Sequence, residues 1–311
     1  MLNPQPANAS TASPAPPVAD GETDAPPHPL REAARALPPL PGVYTFHGAA
    51  DAVPLSGGAG AGLPLYIGKS VNLRQRVLSH LRDPSERRMM AQTQRIAFER
   101  TAGDLGAQLL EAQRIKQQHP VFNQRLRRNR QLCAWWLPDG ETVPRLVQAS
   151  EVNFARQTGL FGLFASRHAA VQALQQWADE QRLCWGALGL ERLAPGKPCF
   201  RHAIRRCAGV CAGHEPAAAH AERLRNALTR HQLMAWPHEG AVAVVERCPA
   251  LGPWPALRQV HVVRNWCYLG SAPTLAAARR LDTPAAAFDA DTYQVLCRPL
   301  WSGAVAVRPL G

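Results

Sequence analysis

The segment Leu65–Arg76, LYIGKSVNLRQR, constrains the fold of this chain most, because it is typical of a strand that runs into a basic helix. Its first three residues favour a strand, which Gly68 and Lys69 are expected to end. Ser70 or Asn72 can cap the following helix, whose apolar residues recur at helical spacing: Leu73, Val77, Leu78 and Leu81. The opposite face of that helix is predicted to carry a basic set: Arg74, Arg76, His80 and Arg82. Such a strand–helix junction forms a surface suited to phosphate.

The charge of the chain predicts a polyanionic partner. Its 311 residues include 35 Lys and Arg against 23 Asp and Glu, a formal net charge of +12. Nucleic acid is the simplest partner for such an excess. A coding bias would explain the preference for arginine over lysine, but not the excess of positive charge.

Signals for export or membrane insertion are not evident. No apolar run is long enough to cross a bilayer, and the N-terminus lacks a secretory signal. We therefore expect a cytoplasmic protein with no membrane association. Eight cysteines in such a protein are expected to be buried thiols or metal ligands rather than disulfides.

Composition and pattern divide the chain into five predicted regions with an α+β fold. Residues 1–30 are rich in Pro, Ala, Asp and Thr and are expected to be a disordered tail. A first folded unit over 31–131 is followed by a small α/β region over 132–183. A cysteine-cluster and helix region over 184–235 and a smaller C-terminal α/β region over 236–311 complete the chain.

The first folded unit is predicted to be a small antiparallel sheet with flanking helices. A strand over Gly42–Phe46 pairs with the strand described above through a long Gly/Ala-rich connection, and Arg95–Arg100 supplies a third strand. Asp104 can cap a helix that stops at Pro120, and this helix places Glu111 beside its apolar stripe.

Patterns beyond residue 131 predict further strands and helices. The segments CAWWL, RLVQA, AVAVVE and QVHVVRNWCYLG favour strands, whereas Ala169–Glu180, Pro216–His231 and Leu275–Arg280 favour helices. Four cysteines in strand-like apolar segments are predicted to be core residues: Cys133, Cys248, Cys267 and Cys297.

Two tripeptides of the first unit carry a resemblance to a known family. They are Gly42–Tyr44 (GVY) and Tyr66–Gly68 (YIG). Four further elements follow in the expected order: Arg76, His80, Glu111 and Asn123. Together they resemble the GIY-YIG nuclease domain, and six elements at compatible spacing are far more specific than one tripeptide.

The resemblance narrows to the UvrC family. KSVNLRQRVLSHL, GAQLLEAQRIK and PVFNQRLRRNR look like its N-terminal, 3′-incising domain, and CFRHAIRRCAGVC and RNWCYLG look like its short, Cho-type members. The similarity covers nearly everything after the tail. It implies a metal-dependent endonuclease of nucleotide excision repair, and we expect it to act as a monomer. Such an enzyme makes the 3′ incision in damaged double-stranded DNA, at a lesion marked by UvrA and handed to UvrB.

The resemblance also implies roles for the motif residues. Glu111 is the expected ligand of one hard divalent ion, Mg²⁺ or Mn²⁺. Tyr44 and Tyr66 relay or accept a proton, with the choice of base left open. An ordinary tyrosine is protonated at neutral pH, so Lys69 or the metal is expected to lower its pKa.

Three other residues complete the implied nuclease site. Arg76 braces the scissile phosphate, and Asn123 holds the site together. His80 stands where UvrC-type domains tend to have tyrosine. The alternative interpretation is that His80 has no role in the site and is an ordinary residue of the helix surface.

Further arginines are predicted to bind the DNA backbone. A basic cluster closes the first unit: Arg125, Arg127, Arg128 and Arg130. With Arg74 and Arg82 it is expected to form a phosphate track, and a solvated face is the alternative.

A second constellation consists of Cys184, Cys199, Cys207 and Cys211. Four thiolates suit zinc or an iron–sulfur cluster, and the wide, irregular spacing is not that of paired zinc knuckles. It resembles the cysteine region of the UvrC family, which implies a [4Fe–4S] cluster. Zinc and simple buried thiols remain the alternatives.

The longer UvrC proteins also carry a second nuclease domain with several carboxylates. The remaining chain is too short for it, and the later acidic residues form no comparable set: Glu246, Asp282, Asp289 and Asp291. One cut per enzyme is therefore expected. Two rival functions remain, a catalytically silent DNA-binding adaptor with a GIY-YIG shell and a UvrB-independent, structure-specific endonuclease.

Overall fold

The computed structural model describes most of the chain after its N-terminal tail. The described residues are 29–49, 62–123, 132–194, 196–283 and 288–310. The tail up to residue 28, most of the Gly/Ala-rich connection and the arginine cluster at 125–130 lie outside these ranges. Among the described helices, none has the length and apolar character needed to cross a membrane.

The first sheet is antiparallel and consists of β1 (Gly42–His47), β2 (Pro64–Ser70) and β3 (Arg95–Arg100). Its order is β2–β1–β3, which confirms the predicted pairing and the third strand. The expected end of the second strand at Gly68 is wrong. Gly68 and Lys69 continue β2 because they pair with Tyr44 and Val43 of β1.

Four α-helices accompany this sheet: α1 (Arg31–Arg35), α2 (Leu73–Arg82), α3 (Arg87–Gln92) and α4 (Asp104–Gln118). Asn72 caps α2 as predicted, and its side-chain oxygen accepts the main-chain N–H of Gln75 at 3.0 Å. The buried face of α2 carries Leu73, Val77 and His80. The predicted place of His80 on the basic outer face is wrong, because positions 73, 77 and 80 share one face of a helix.

The helix α4 begins at Asp104 instead of being capped by it. The N-cap residue is Gly103, whose backbone is extended. The Asp104 carboxylate instead accepts a hydrogen bond from Lys69. Two main-chain amides of the first turn donate to the carboxylate of Glu246, which lies far away in the sequence. The helix stops before Pro120, as predicted.

The second sheet is also antiparallel and consists of β4 (Cys133–Trp136), β5 (Arg145–Gln148) and β6 (Leu160–Phe164). Its order is β5–β4–β6. Three helices follow: α5 (Arg167–Glu180), α6 (Phe200–Ala203) and α7 (Ala217–Thr229). Trp135 of β4, Leu174 of α5 and Leu224 of α7 share one hydrophobic core. This core therefore joins segments on both sides of the predicted boundary at residue 183.

The third sheet consists of β7 (Val242–Cys248), β8 (Leu257–Arg264), β9 (Cys267–Ala272) and β10 (Val307–Pro309), in the order β10–β7–β8–β9. Its helices are α8 (Leu275–Arg279) and α9 (Ala290–Trp301). The sequence patterns did not predict α9, which contains Pro299, or the three-residue β10.

Three of the four remaining cysteines are buried in strands, as predicted: Cys133, Cys248 and Cys267. Cys297 differs, because it is half-buried on α9 rather than in a strand. Its apolar neighbours belong to an amphipathic helix, whose short apolar runs resemble those of a strand.

The helix α4 contributes to two hydrophobic cores. Ala107 and Leu110 pack with Val43 and Ile67 of the first sheet. Leu105 and Leu109 belong instead to the core that contains Trp266 and Leu296 of the C-terminal region, among others. One helix thus connects the sheet that carries both tyrosine motifs with the third sheet.

Candidate active site and cysteine centre

The pairing of β1 with β2 places the two tyrosine motifs side by side. Tyr44 lies opposite Gly68, and a Cβ atom at Gly68 would clash with the Tyr44 hydroxyl and ring. A side chain at Gly42 would clash with the Glu99 carbonyl and with Leu73. The two motif glycines are therefore required by close packing around the tyrosine pair.

A hydrogen-bonded chain leads from Tyr44 into the protein. The Tyr44 hydroxyl lies 2.5 Å from Nε2 of His80, and the other ring nitrogen of His80 contacts the Glu86 carboxylate. His80 is 1 % exposed, and the rings of Phe46 and Tyr66 lie 5.2 and 5.6 Å from its ring. If Nδ1 donates its proton to Glu86, Nε2 accepts from the Tyr44 hydroxyl.

Burial controls the protonation of this chain. It raises the pKa of the Tyr44 and Tyr66 hydroxyls, and the positive charge of Arg76 opposes that rise. It also lowers the pKa of His80, and the hydrogen bond to Glu86 opposes that fall without reversing it. At neutral pH both tyrosines are therefore protonated and His80 is a neutral acceptor.

The expected effect of Lys69 on the tyrosines is not seen. Its ammonium lies 2.8 Å from the Asp104 carboxylate, and Arg76 is the cation that acts on the pKa of both tyrosines. The main chain of Lys69 has a different role, because its N–H donates to Oε1 of Glu111 at 3.0 Å.

Glu111 lies on α4 and faces β2. Burial raises the pKa of the Glu111 carboxyl. The Lys69 N–H and the Lys69 charge oppose this rise without reversing it. The hydrogen bond from Lys69 fixes one carboxylate oxygen against the strand. A single half-buried carboxylate of this kind suits one hard divalent cation that keeps most of its water ligands.

Asn123 fastens the segment after α4 to β2. Its side-chain oxygen accepts the N–H of Ile67 and its amide donates to the Ile67 carbonyl, both at 2.8 Å. The main-chain N–H of Phe122 donates to the Leu65 carbonyl at 2.8 Å. These bonds hold the segment after α4 alongside the YIG strand.

The predicted phosphate-binding arginines occupy different settings. Arg76 and Arg82 are exposed on α2. Arg74 donates from Nε to the Leu37 carbonyl at 2.8 Å, so part of its guanidinium holds the N-terminal segment in place. Four further arginines lie outside the described residues: Arg125, Arg127, Arg128 and Arg130.

Two residues of this site were not predicted as site residues. Glu86, in the 3₁₀ turn Pro84–Glu86, holds the buried His80, and Asp104 holds Lys69. Neither has a motif or a periodic signal, because each becomes a neighbour of its partner only through tertiary packing. The burial of His80 had one signal, its helical spacing from Leu73 and Val77.

The four predicted metal-binding cysteines converge. Their Sγ atoms all lie within 4.8 Å of one another, and the described residues offer no other such group of His, Cys, Asp or Glu. Three of the four are buried and Cys211 is half-buried. Main-chain N–H groups of Ala187, Cys199 and Gly209 donate to three of the sulfurs, as in a site built for thiolates.

The sulfur spacing bears on which metal would fit. Zn–S bonds of about 2.3 Å place the sulfurs of a tetrahedral site about 3.8 Å apart. Here Cys211 Sγ lies 3.6 Å from Cys199 Sγ and 4.0 Å from Cys207 Sγ. A four-iron cluster inserts iron and sulfide between the thiolates, so its sulfurs would have to lie farther apart.

Burial raises the pKa of the Cys207 thiol to about 11 and raises that of Cys199 still further. Thiols in this state are poor nucleophiles. Burial also opposes ionisation of Cys211, but the hydrogen bonds that it receives from its neighbours outweigh burial and lower the pKa of its thiol. The convergence of all four sulfurs is what favours a bound cation.

The later acidic residues are engaged in separate contacts. Glu246 lies 2.9 Å from His261, and Asp282 lies 2.8 Å from Arg264. Asp289 and Asp291 both bind the ammonium of Lys116 on α4, at 2.5 and 2.6 Å. Over the described ranges, then, these carboxylates do not converge on one site.

Comparison with known proteins assigns a family to each part of the chain. Residues 40–124 match the family described as the UvrC-like GIY-YIG domain. Residues 132–230 match the middle domain of the UvrC/Cho excinucleases, and residues 241–311 match the C-terminal domain of excinuclease Cho.

Individual relatives extend over nearly the whole chain. Excinuclease Cho of Escherichia coli K12 is 50 % identical over 284 residues, which cover 91 % of this chain and 90 % of that protein. Excinuclease Cho of Salmonella typhi is 49 % identical over 277 residues, with coverages of 89 % and 88 %. A solved structure, a point mutant of the GIY-YIG N-terminal endonuclease domain of Thermotoga maritima UvrC bound to its catalytic divalent cation, is 26 % identical with a TM-score of 0.26. It covers 31 % of this chain and 96 % of that one.

Proposed function

The chain belongs to the excinuclease Cho family and is a GIY-YIG endonuclease of DNA repair, and we propose that it makes one metal-dependent 3′ incision in damaged double-stranded DNA. The observation that carries the proposal is the arrangement around β2. The tyrosine–histidine chain and Arg76 meet at this strand, and Glu111 faces it from α4. Phosphodiester hydrolysis needs these functions together: a proton acceptor, a cation on the phosphate and a metal ligand.

Glu111 is the proposed ligand of a divalent cation, Mg²⁺ or Mn²⁺. The cation would supply charge stabilisation at the scissile phosphate. Arg76, exposed next to the tyrosine pair, braces the same phosphate through its guanidinium. The hydrogen bonds of Asn123 and of the Lys69 main chain hold β2 and α4 in place beside Arg76 and Glu111.

The tyrosines act as a relay instead of as a phenolate base. Tyr66 is half-buried whereas Tyr44 is fully buried, so Tyr66 is the hydroxyl that contacts the attacking water. As the water attacks phosphorus, its proton passes to Tyr66, and the tyrosine pair hands a proton on to His80. The P–O bond to the departing sugar oxygen breaks in the same step, and that oxygen takes a proton from solvent water. Glu86 stabilises the imidazolium that forms. Raised tyrosine pKa values are compatible with this path, because no tyrosinate accumulates.

The proposed context is nucleotide excision repair in the cytoplasm. The protein acts as a monomer on a lesion that UvrA has marked and UvrB holds. The family and the net charge of +12 support a DNA substrate. UvrB dependence separates this proposal from a free-standing, structure-specific endonuclease.

The test is incision of a duplex that carries a single bulky adduct, with Mg²⁺, UvrA and UvrB. Replacing Glu111 with Gln should reduce incision by about 10³-fold or more, because it removes the metal ligand. DNA affinity, measured by fluorescence anisotropy, should remain nearly unchanged because the basic surface is intact.

Glu99→Gln is the matched control. Glu99 is a carboxylate of the same unit, but it pairs with Arg114 at 2.8 Å. Full incision by the Glu111→Gln protein would contradict the role of Glu111. Incision at the same site and rate without UvrB would instead favour the free-standing endonuclease.

The four converging cysteines are proposed to hold a structural metal centre. The family resemblance favours [4Fe–4S], whereas the sulfur spacing favours a single zinc ion. Anaerobic purification followed by metal analysis and visible absorption distinguishes the two. Protein that holds neither iron nor zinc would show that the sulfurs are simple buried thiols.

A further inference from the structure

The N-terminus of α4 is held by a carboxylate from the third sheet. Glu246 of β7 accepts the main-chain N–H of Leu105 at 3.2 Å and that of Gly106 at 2.7 Å. Burial raises the pKa of Glu246, but the hydrogen bonds from His261 and from the helix amides outweigh it and lower the pKa overall. A charged carboxylate thus sits on the positive end of α4.

Glu246 is itself the end of a chain of side chains. His261 Nε2 lies 2.9 Å from the Glu246 carboxylate, and His261 Nδ1 lies 2.6 Å from the Ser271 hydroxyl. The Tyr268 hydroxyl lies 2.6 Å from the same oxygen of Ser271. The order Ser–His–Glu resembles a nucleophile triad. However, His261 is 0 % exposed and the helix amides occupy Glu246, so neither the histidine nor the carboxylate is free for catalysis.

Two glycines of the nuclease unit fit this chain. A side chain at Gly103 would clash with the Glu246 carboxylate, and one at Gly106 would clash with the His261 ring. Neither glycine has a positive φ, so backbone conformation does not explain them. Glycine is needed at these two positions because the third sheet approaches the start of α4 closely.

The contact between α4 and the C-terminal region has a second anchor. Lys116, near the far end of α4, binds Asp289 and Asp291 at the start of α9. Leu105, at the first anchor, and Leu109, between the two, pack in the core that includes Trp266. The C-terminal region therefore fixes both ends of the helix and one of its faces.

We propose that the C-terminal region is a brace for the nuclease site, in which Glu246 and His261 are positioning residues that set the axial position of α4. Glu111 lies on that helix, between the two anchors. The inference rests on the proposed role of Glu111 as metal ligand. A displacement of about 1 Å at a catalytic group can cost about 10²-fold in rate, so a loosened α4 lowers metal affinity and incision together.

The test uses the full chain and two variants, Glu246→Ala and Glu246→Gln. The alanine variant removes both acceptors at the helix start, whereas the glutamine variant keeps one neutral oxygen. Single-turnover incision is measured against Mg²⁺ concentration. We expect Glu246→Ala to raise the half-saturating Mg²⁺ concentration about tenfold and to lower the rate, with Glu246→Gln in between. High Mg²⁺ should recover part of the activity, and DNA affinity without metal should not change.

The matched control is Asp282→Ala, which removes a carboxylate that follows α8 and pairs with Arg264 instead of α4. It should leave the Mg²⁺ dependence unchanged. Hydrogen exchange gives a second readout, since Glu246→Gln should speed exchange at the Leu105 and Gly106 amides.

The outcomes separate this inference from the proposed function. A wild-type protein with no metal-dependent incision would defeat the proposed function. A wild-type protein that cuts, with Glu246 variants whose Mg²⁺ dependence and α4 exchange match it, would overturn the brace alone. If Glu246→Ala does not fold, Glu246→Gln and its exchange pattern decide.

Discussion

His80 is enclosed by three aromatic rings and joined to Tyr44 through one nitrogen and to Glu86 through the other. Burial favours its neutral form, which is the form that can take a proton from the tyrosine pair. A single imidazole thus sets the pH range in which the proposed relay operates.

The pH dependence of incision should show this imidazole. The pKa of His80 is lowered, so the rate should stay level above pH 6.5 and fall as pH drops through the lower folded value. Glu86 raises the pKa of His80, so Glu86→Gln should move the fall to still lower pH and reduce the plateau rate. Single-turnover rates between pH 4.5 and 8.5 test this.

The free energy of unfolding should change with pH in the same direction as the incision rate. His80 binds a proton more readily in the unfolded chain than in the folded one, so stability also falls as pH drops below 6.5. Each rate therefore needs a circular dichroism check at the same pH. Glu99→Gln is the control, and an unshifted profile for Glu86→Gln would contradict the relay.

The pairing of β1 with β2 brings the two tyrosine motifs next to each other. Gly68 makes this possible because it leaves room for the Tyr44 hydroxyl directly across the ladder. β2 therefore pairs with β1 through its backbone at Gly68 and has no side chain there.

Gly68→Ala should therefore inactivate the enzyme without unfolding it. The added methyl group would displace Tyr44 from Gly68 and from His80, and we expect a rate loss of about 10²-fold or more. Gly48→Ala is the control, since a Cβ there would lie 3.4 Å from its nearest neighbour, Leu65, in ordinary contact. Incision close to the wild-type rate by the Gly68→Ala protein would show that the ring adjusts.

Local elements were predictable because their signals are local. The Asn72 cap, the strand Arg95–Arg100 and the stop before Pro120 depend on residues within one turn or one strand. Both tyrosine motifs lie on the paired strands β1 and β2, as their strand-like sequences predict. The cap on α4 was misassigned to Asp104, because the true acceptor is Glu246, more than a hundred residues away. Long-range partners such as Glu86 for His80 leave no periodic trace.

At the scale of the whole molecule, the four cysteines of the proposed metal centre join segments that are separate in the sequence. Two of the sulfurs come from before the short helix α6, whose N-cap residue is Cys199, and two come from after it. Cys184, Cys199 and Cys207 form their own small buried cluster, apart from the larger cores. A bound metal can supply folding free energy that so small an apolar cluster cannot.

Cys211→Ser should remove the bound metal and loosen residues 184–213, while the GIY-YIG unit stays folded. Limited proteolysis with mass spectrometry should show new cleavage in that segment before any in the first sheet. Cys297→Ser is the control, because Cys297 lies on α9 outside the cluster. Unchanged protease resistance in Cys211→Ser would contradict a structural metal.

The helix α4 belongs to two hydrophobic cores at once, one shared with the first sheet and one with the third. It cannot fray from either without exposing apolar surface on that side. The segment that carries Glu111 is therefore tied into the cooperative unfolding of both ends of the chain. Local opening of this helix costs the burial of two cores at once, which keeps the carboxylate of Glu111 in place.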